Sequence, residues 1–328
     1  MTDLSQYTNF SKAELDTTFT RPVVITNIEE RMSKTGKPYV QFTFNDGETE
    51  IAANLFNTSK EQIKEKNIDK LSVVDVTFSV SNYNNKKSFK VEDIKLNEDP
   101  NISYIDFIKH PPVDIDQMYN EIISLLKSAA DTCNDKYIPL SDLTISILED
   151  NKQKFMTSSA SWKMHHNLLG GLIYHTYRMI KASDALCNVY TELDRELLLC
   201  GTALHDIGKI WEYKTSPYGD AEMTSSGILF GHLYMGAVLI KQYSGKDNYN
   251  PEKIKLLVHM ILSHHGKREF GAVALPAIPE ALVLSHVDDL DAKMYVFDET
   301  YNTLESGGLT EKKDFMLDTK LYKPHDME

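Results

Sequence analysis

The stretch "LLLCGTALHDIGKI" (residues 197–210) runs apolar for most of its length and then turns abruptly polar. His205 and Asp206 stand side by side at that break, with Gly208 and Lys209 directly after. A core helix gains nothing from a buried ionisable pair unless the pair is hydrogen-bonded or ligating, because burial of polar groups costs free energy. Adjacent residues on a helix project about 100° apart. At a helix end, such a pair straddles one metal ion, or its carboxylate bridges two.

The other histidines repeat the pattern. Eleven are present, and nine of them fall between residues 165 and 286. His175 lies in "GLIYHTYRM" (171–179), on the helical stripe of Leu172 and Met179. His232 follows Gly231 at the start of a further helix. His264 and His265 close "VHMILSHHG" (258–266), and Asp288, Asp289 and Asp291 sit in "LSHVDDLDAKM" (284–294). One inward histidine on an apolar face is ordinarily a satisfied core residue. Five such positions on separate helices, all at polar breaks, argue that packing brings them to one place. A donor set of imidazoles and carboxylates without thiolates suits Mn²⁺, Fe²⁺, Co²⁺, Ni²⁺ or Zn²⁺ rather than Ca²⁺.

Around this half lies a chain of two periods. Residues 18–98 alternate apolar and polar, as in "KPYVQFTF" (37–44), "VVDVTFSV" (73–80) and "KSFKVEDI" (87–94), with turn-forming "KTGK", "NDGE" and "NYNNKK" between them. "TSKEQIKEKNIDKL" (58–71) instead has helical spacing, with Ser59 as N-cap. Three strands, a helix and two strands is the element order of an OB-fold. A barrel of this kind stacks bases on surface aromatics, although protein docking or assembly is the plainer use. Candidate stacking residues are Tyr39, Phe42, Phe56 and Tyr83, and Lys34, Lys37, Lys86 and Lys87 are candidates for the nucleic-acid backbone. Val40 and Phe42 share a face, which assigns Phe42 to the core and Tyr39 to the surface.

A polar, proline-bearing linker (99–117) follows the barrel (1–98). From about 118 to 310 the apolar spacing is helical throughout, and the polar residues 311–328 read as a C-terminal tail. The expected class is α+β multidomain: a five-stranded N-terminal β-barrel and an all-α C-terminal domain.

The 328 residues allow about two domains. Three cysteines without regular spacing argue against a disulfide framework and for a reducing compartment. No segment reads as a signal peptide or a bilayer span, so a cytoplasmic location without membrane contact is expected. The net charge is −13, against the basic balance usual for nucleic-acid binders, but residues 1–98 are near neutral and most of the acid lies beyond them. Bound cations offset charge of this kind where carboxylates hold metal.

"HHNLLGGLIYHTYRM" (165–179), "LHDIGK" (204–209), "GH" (231–232), "SHHGKREFG" (263–271) and "PEALVLSHVDDLDAKM" (279–294), behind such a barrel, resemble the HD superfamily of metal-dependent phosphohydrolases, and within it the YhaM-type 3′–5′ exoribonucleases. Ala272 and Val273 stand where that family tends to have Ser-Pro. No Gly-Tyr-Pro follows the histidine pair, which sets the chain apart from the cyclic-dinucleotide branch. The resemblance implies an HD domain over 118–310 and one or two divalent ions, Mn²⁺ foremost. His175, His205, Asp206 and Asp288 (Asp289 as the fallback) would hold the first. His232, His264 and His265 would hold the second, with Asp206 bridging. It also implies stepwise hydrolysis of single-stranded RNA, or single-stranded DNA, to nucleoside 5′-monophosphates by a homo-oligomer. Lys209 and Arg178 are then candidates to steady phosphoryl charge; for Lys209 a helix-end cation is the plainer reading. His165 and His166, ahead of Gly170-Gly171, are candidate substrate contacts. His259 and His286 are assigned to packing or to orienting a ligand, and His110 and His325 to solvent. Two rival readings are a phosphohydrolase of free nucleotides, with the barrel serving assembly, and a non-catalytic RNA-binding adaptor. Assays on end-labelled RNA and on a nucleotide panel separate the three.

Overall fold

Alternation becomes strand where the sequence shows it. In the computed structural model β1 (Thr18–Met32), β2 (Pro38–Asn45), β3 (Glu50–Phe56), β4 (Val73–Tyr83) and β5 (Lys86–Leu96) close into a barrel in the order β1-β2-β3-β5-β4. The β3–β5 pair is parallel and the other pairs are antiparallel. Helix α1 (Lys60–Glu65) connects β3 to β4 and begins at a capping box formed by Ser59 and Gln62. This is an OB-fold. Val40, Phe42 and Phe44 of β2 and Val74, Val76, Phe78 and Val80 of β4 fill the interior, so Phe42 is core and not a stacking surface. The structure describes residues 4, 6–33, 36–83, 86–109, 111–131, 136–160, 168–216, 219 and 221–325.

The barrel also holds an ion pair that periodicity does not reveal. Arg21, near the start of β1, is 1% exposed and bonds the Asp46 carboxylate at 2.9 Å and the Asp46 carbonyl at 2.9 Å. The same guanidinium donates to the Thr8 carbonyl, and Asp46 accepts the Phe10 amide at 2.7 Å. Phe10 then packs edge-on against Phe78. The pair therefore ties the segment before β1 to the β2–β3 turn.

The second half is built around one helix. Two units divide the chain, Met1–Lys109 and His110–Glu328. In the second, α2 (Ile115–Ala129), α3 (Leu140–Asp150), α4 (Lys152–Thr157) and α5 (Gly171–Cys187) precede α6 (Arg195–Leu204). Every residue of α6 from Glu196 to Leu204 is buried. Helices α2, α3, α5, α9 (Pro251–Ser263) and α10 (Pro279–Thr303) all pack on it. A helix apolar on all sides belongs in such a position. Its one buried charge, Glu196, accepts the Asp131 and Ser141 amides and pairs with Lys253 at 2.8 Å. Between α6 and α9 run α7 (Lys209–Glu212), a two-stranded ribbon of β6 (Tyr213–Thr215) and β7 (Ala221–Met223), and α8 (Ser225–Ser244). The ribbon is a small insertion in a domain that is otherwise helical, as expected.

Two boundaries differ from the sequence reading. The segment 99–109, read as linker, belongs to the barrel's unit, where a short 3₁₀ turn (Tyr104–Phe107) buries Phe107 completely. Residues 311–325, read as a tail, fold back: the Thr310 amide donates to Leu321, the Lys323 amide donates to Gly308, and Leu321 is buried. Cys187 and Cys200 are free thiols. Among the described residues no helix is long and apolar enough to cross a membrane.

Removing one partner of a buried ion pair leaves an uncompensated charge and costs about 3–5 kcal/mol. Arg21→Ala should therefore lower the stability of the barrel by about that amount in urea denaturation of the full chain. Loss of the exposed Arg31 should leave the midpoint in place.

Candidate metal centre

Helix α6 delivers His205 and Asp206 to the interior of the helical unit, where they are 0% and 2% exposed. Four other elements meet them there: α5 brings His175, α8 brings His232, the end of α9 brings His264 and His265, and α10 brings Asp288.

Four of the five rings are turned by the same device. His205 Nδ1 bonds the Thr202 carbonyl at 2.8 Å, and His264 Nδ1 bonds the Ile261 carbonyl at 2.8 Å, each three residues back in its own helix. His175 Nδ1 meets Asp291 Oδ2 at 2.7 Å, and His232 Nδ1 meets Glu212 Oε2 at 2.9 Å. A carbonyl only accepts, so at His205 and His264 the proton sits on Nδ1 and the Nε2 lone pair faces inward. Outer partners of this kind typically orient metal-ligating histidines.

The inward atoms crowd together. His175 Nε2 lies 3.2 Å from His205 Nε2 and 3.2 Å from Asp288 Oδ1, and His232 Nε2 lies 3.3 Å from His265 Nε2. Asp206 stands between the two groups. Its Oδ2 is 3.2 Å from His205 Nε2 and 3.9 Å from His175 Nε2, and its Oδ1 is 3.4 Å from His232 Nε2 and 3.5 Å from His264 Nε2. Three sets of donor atoms lie within 4.8 Å of one another: His175, His205 and Asp206; His205, His264 and Asp288; and His232, His264 and His265.

A divalent cation fits this donor set. Among the described residues Asp206 Oδ1 and His264 Nε2 are buried without a hydrogen-bond partner, and leaving such groups unmade costs about 1–3 kcal/mol each. The charges point the same way. Burial works against a charge on His175, but Asp288 and Asp291 outweigh it and hold the imidazolium up to about 9. Burial, reinforced by His264 and His232, pushes His265 down to about 3, and burial lowers His264 too, so both are neutral donors near neutral pH. Burial opposes ionisation of Asp206 and Asp288, yet their cationic neighbours hold both well below the usual carboxylate range.

Glycines make the approach between elements. A Cβ on Gly208 would lie 2.1 Å from the His232 carbonyl oxygen, so only glycine lets the turn after Asp206 touch α8. Gly231 has φ 69° and ψ 159° inside α8 and kinks it. The kink frees the His232 amide, which donates to Glu212 Oε1 at 3.1 Å.

The HD domain family matches residues 172–293. Over 303 residues the chain is 31% identical to the 3′–5′ exoribonuclease YhaM of Geobacillus sp. (strain WCH70), covering 92% of this chain and 90% of that protein. The chain belongs to the YhaM family. The YhaM protein of Bacillus subtilis (strain 168) is 28% identical over 303 residues, covering 92% of this chain and 93% of that protein. Among solved structures, the second OB-fold domain of replication protein A from Methanococcus maripaludis aligns with a TM-score of 0.23 and 15% identity, over 28% of this chain and 95% of that domain.

Within this family member the cluster contains His175, His205, Asp206, His232, His264, His265 and Asp288. Asp289, the alternative to Asp288, lies on the surface and pairs with Lys293 at 2.6 Å. Lys209 places Nζ 2.6 Å from Asp206 Oδ2 and is partly exposed. Arg178 departs from expectation: its guanidinium is occupied by Asp291 at 2.7 Å and Asp298 at 2.9 Å. It sits one turn from His175, on a side closed by the carboxylates of α10. His259 accepts the Ala277 amide, a packing role, whereas His286 is exposed. On the barrel Lys37, Tyr83, Lys86 and Lys87 are exposed, and Tyr39 lies 5.5 Å from Phe56 on the next strand. Lys34, His110, His165 and His166 lie outside the described residues. Sequence reasoning missed Glu212 altogether and gave Asp291 no role of its own. Glu212 lies between the "HD" and "GH" motifs with no pattern of its own.

A Cβ at Gly208 must push His232 away from Asp206. Gly208→Ala should cost about 10²-fold in turnover, the scale of a roughly 1 Å misplacement at a reacting centre. Assay beside far-ultraviolet circular dichroism, which should not change, checks this.

Proposed function

We propose that the chain is a metal-dependent 3′–5′ exoribonuclease acting on single-stranded RNA, with single-stranded DNA as a secondary substrate and nucleoside 5′-monophosphates as products. One observation carries this reading: Asp206 turns its two oxygens to two groups of imidazoles within a single buried cluster. In it, His175, His205, Asp206 and Asp288 would hold one divalent ion, Mn²⁺ foremost. His232, His264 and His265, with Asp206 shared, would hold a second. Such ions, when bound, acidify water and neutralise charge on phosphoryl oxygens.

The chain's own groups do the remainder. Lys209 carries its ammonium at the partly exposed edge of the cluster, beside Asp206 Oδ2, where it balances negative charge gathering on a scissile phosphate. Arg178 does not contact the substrate but holds Asp291. On the barrel, Tyr39 and Phe56 lie on β2 and β3, Lys37 closes the β1–β2 turn, and Tyr83, Lys86 and Lys87 stand at the β4–β5 tip. These are the strand face and the two loops with which OB-folds grip oligonucleotides. The exposed apolar row Ile228, Leu229, Phe230 and Tyr234 on α8 supports self-association.

Single-stranded RNA labelled at its 5′ end, incubated with Mn²⁺, should shorten one nucleotide at a time from the 3′ end. Internal cuts, or turnover of free nucleotides alone, would overturn the reading. Lys209→Met should lower kcat by about 10²–10³, as loss of one electrostatic stabiliser does, while His205→Ala should abolish turnover.

Lysines that neutralise phosphates leave a mark in salt dependence. Lys86→Ala and Lys87→Ala should each reduce the slope of log affinity against log salt by about 0.7, measured by fluorescence anisotropy on labelled RNA.

A further inference from the structure

We infer that Asp291 and Glu212 are positioning residues, each serving one half of the cluster, so that two ions are tuned separately. The inference rests on the metal reading above.

The four rings held at Nδ1 fall into two kinds. His205 and His264 are backed by main-chain carbonyls, which are neutral and fixed by their helices. His175 and His232 are backed by carboxylates, and there is one of these on each side of Asp206. His175 faces Asp206 Oδ2, and His232 faces Asp206 Oδ1. A carboxylate behind an imidazole raises its basicity as a ligand as well as fixing its plane. Each half thus has one ring whose donor strength is set by a replaceable side chain.

The two carboxylates are themselves held by independent means. Asp291 lies one helical turn beyond Asp288, so that both face α5. Its Oδ2 takes His175 Nδ1 and its Oδ1 takes Arg178 Nε at 2.7 Å, and Arg178 is anchored in turn by Asp298. Glu212 turns both oxygens to one residue: Oε2 lies 2.9 Å from His232 Nδ1, and Oε1 accepts the His232 amide that the Gly231 kink releases. Its backbone is pinned as well, because its carbonyl accepts the Thr224 amide and lies 2.4 Å from where a Cβ on Gly227 would stand.

The test is calorimetric titration of Mn²⁺ into the metal-free full chain. It compares wild type, Asp291→Asn and Glu212→Gln, with each variant repeated in a His265→Ala background that removes a donor from the His232 half. Wild type should take up two ions. Glu212→Gln should weaken one of them about 10–100-fold and have no further effect once His265 is gone. Asp291→Asn should weaken the other by a similar factor in both backgrounds. Asp291→Ala should be worse than Asp291→Asn, which keeps an oxygen for His175 Nδ1. Equal weakening of both ions by either variant would overturn the inference. So would lowered metal-free melting temperatures with unchanged affinities. A wild-type chain that takes up no ion would refute the metal reading itself, a result distinct from either.

Discussion

Asp206 is a carboxylate shut almost wholly away from solvent, and the helical unit is arranged about that condition. Burying an ionised group costs several kcal/mol even after relaxation. Lys209 meets one oxygen, and the other faces His232 and His264 with no hydrogen bond among the described residues. The all-round burial of α6 forces its last turn into the interior. The glycine at 208 lets α8 come against that turn, and the kink at Gly231 starts the second half of α8 at His232. Each of these features loses its reason if no cation joins the carboxylate.

Charge divides along the same line. The cluster gathers Asp206, Asp288, Asp291 and Glu212 within one interior. Lys209, the His175 imidazolium and Arg178 offset part of that charge, and divalent ions held among the carboxylates would offset the rest. The barrel half is nearly neutral and carries lysines and aromatics on its surface. Nearly all of the whole-chain charge of −13 therefore belongs to the second half.

Much of this was readable in the residues, and the reason is periodicity. Strands half buried in a barrel must alternate, so Val40, Phe42 and Phe44 announced the fold of the first half. Ligands at polar breaks in apolar helices interrupt an otherwise unbroken pattern, so His175, His205, His232 and the His264-His265 pair stood out. What stayed hidden depends on contacts between distant residues. Arg21 and Asp46 look like ordinary surface charges in a strand and a turn. Arg178 has the right spacing from His175 for a phosphate contact, and only the packing of α10 shows that Asp291 and Asp298 claim it. Glu212 has no motif at all, because its role comes from the kink at a glycine nineteen positions later. Asp288 and Asp289 differ by the rotation of a single helical residue, which sends one inward and the other to Lys293.

The most direct measurement is anomalous X-ray scattering at the manganese edge from crystals of the full chain grown with Mn²⁺. Peaks are expected on both sides of Asp206, one among His175, His205 and Asp288 and one among His232, His264 and His265. An absence of anomalous density at Asp206, with manganese found only on surface carboxylates, would contradict the claim that this cluster exists to hold metal.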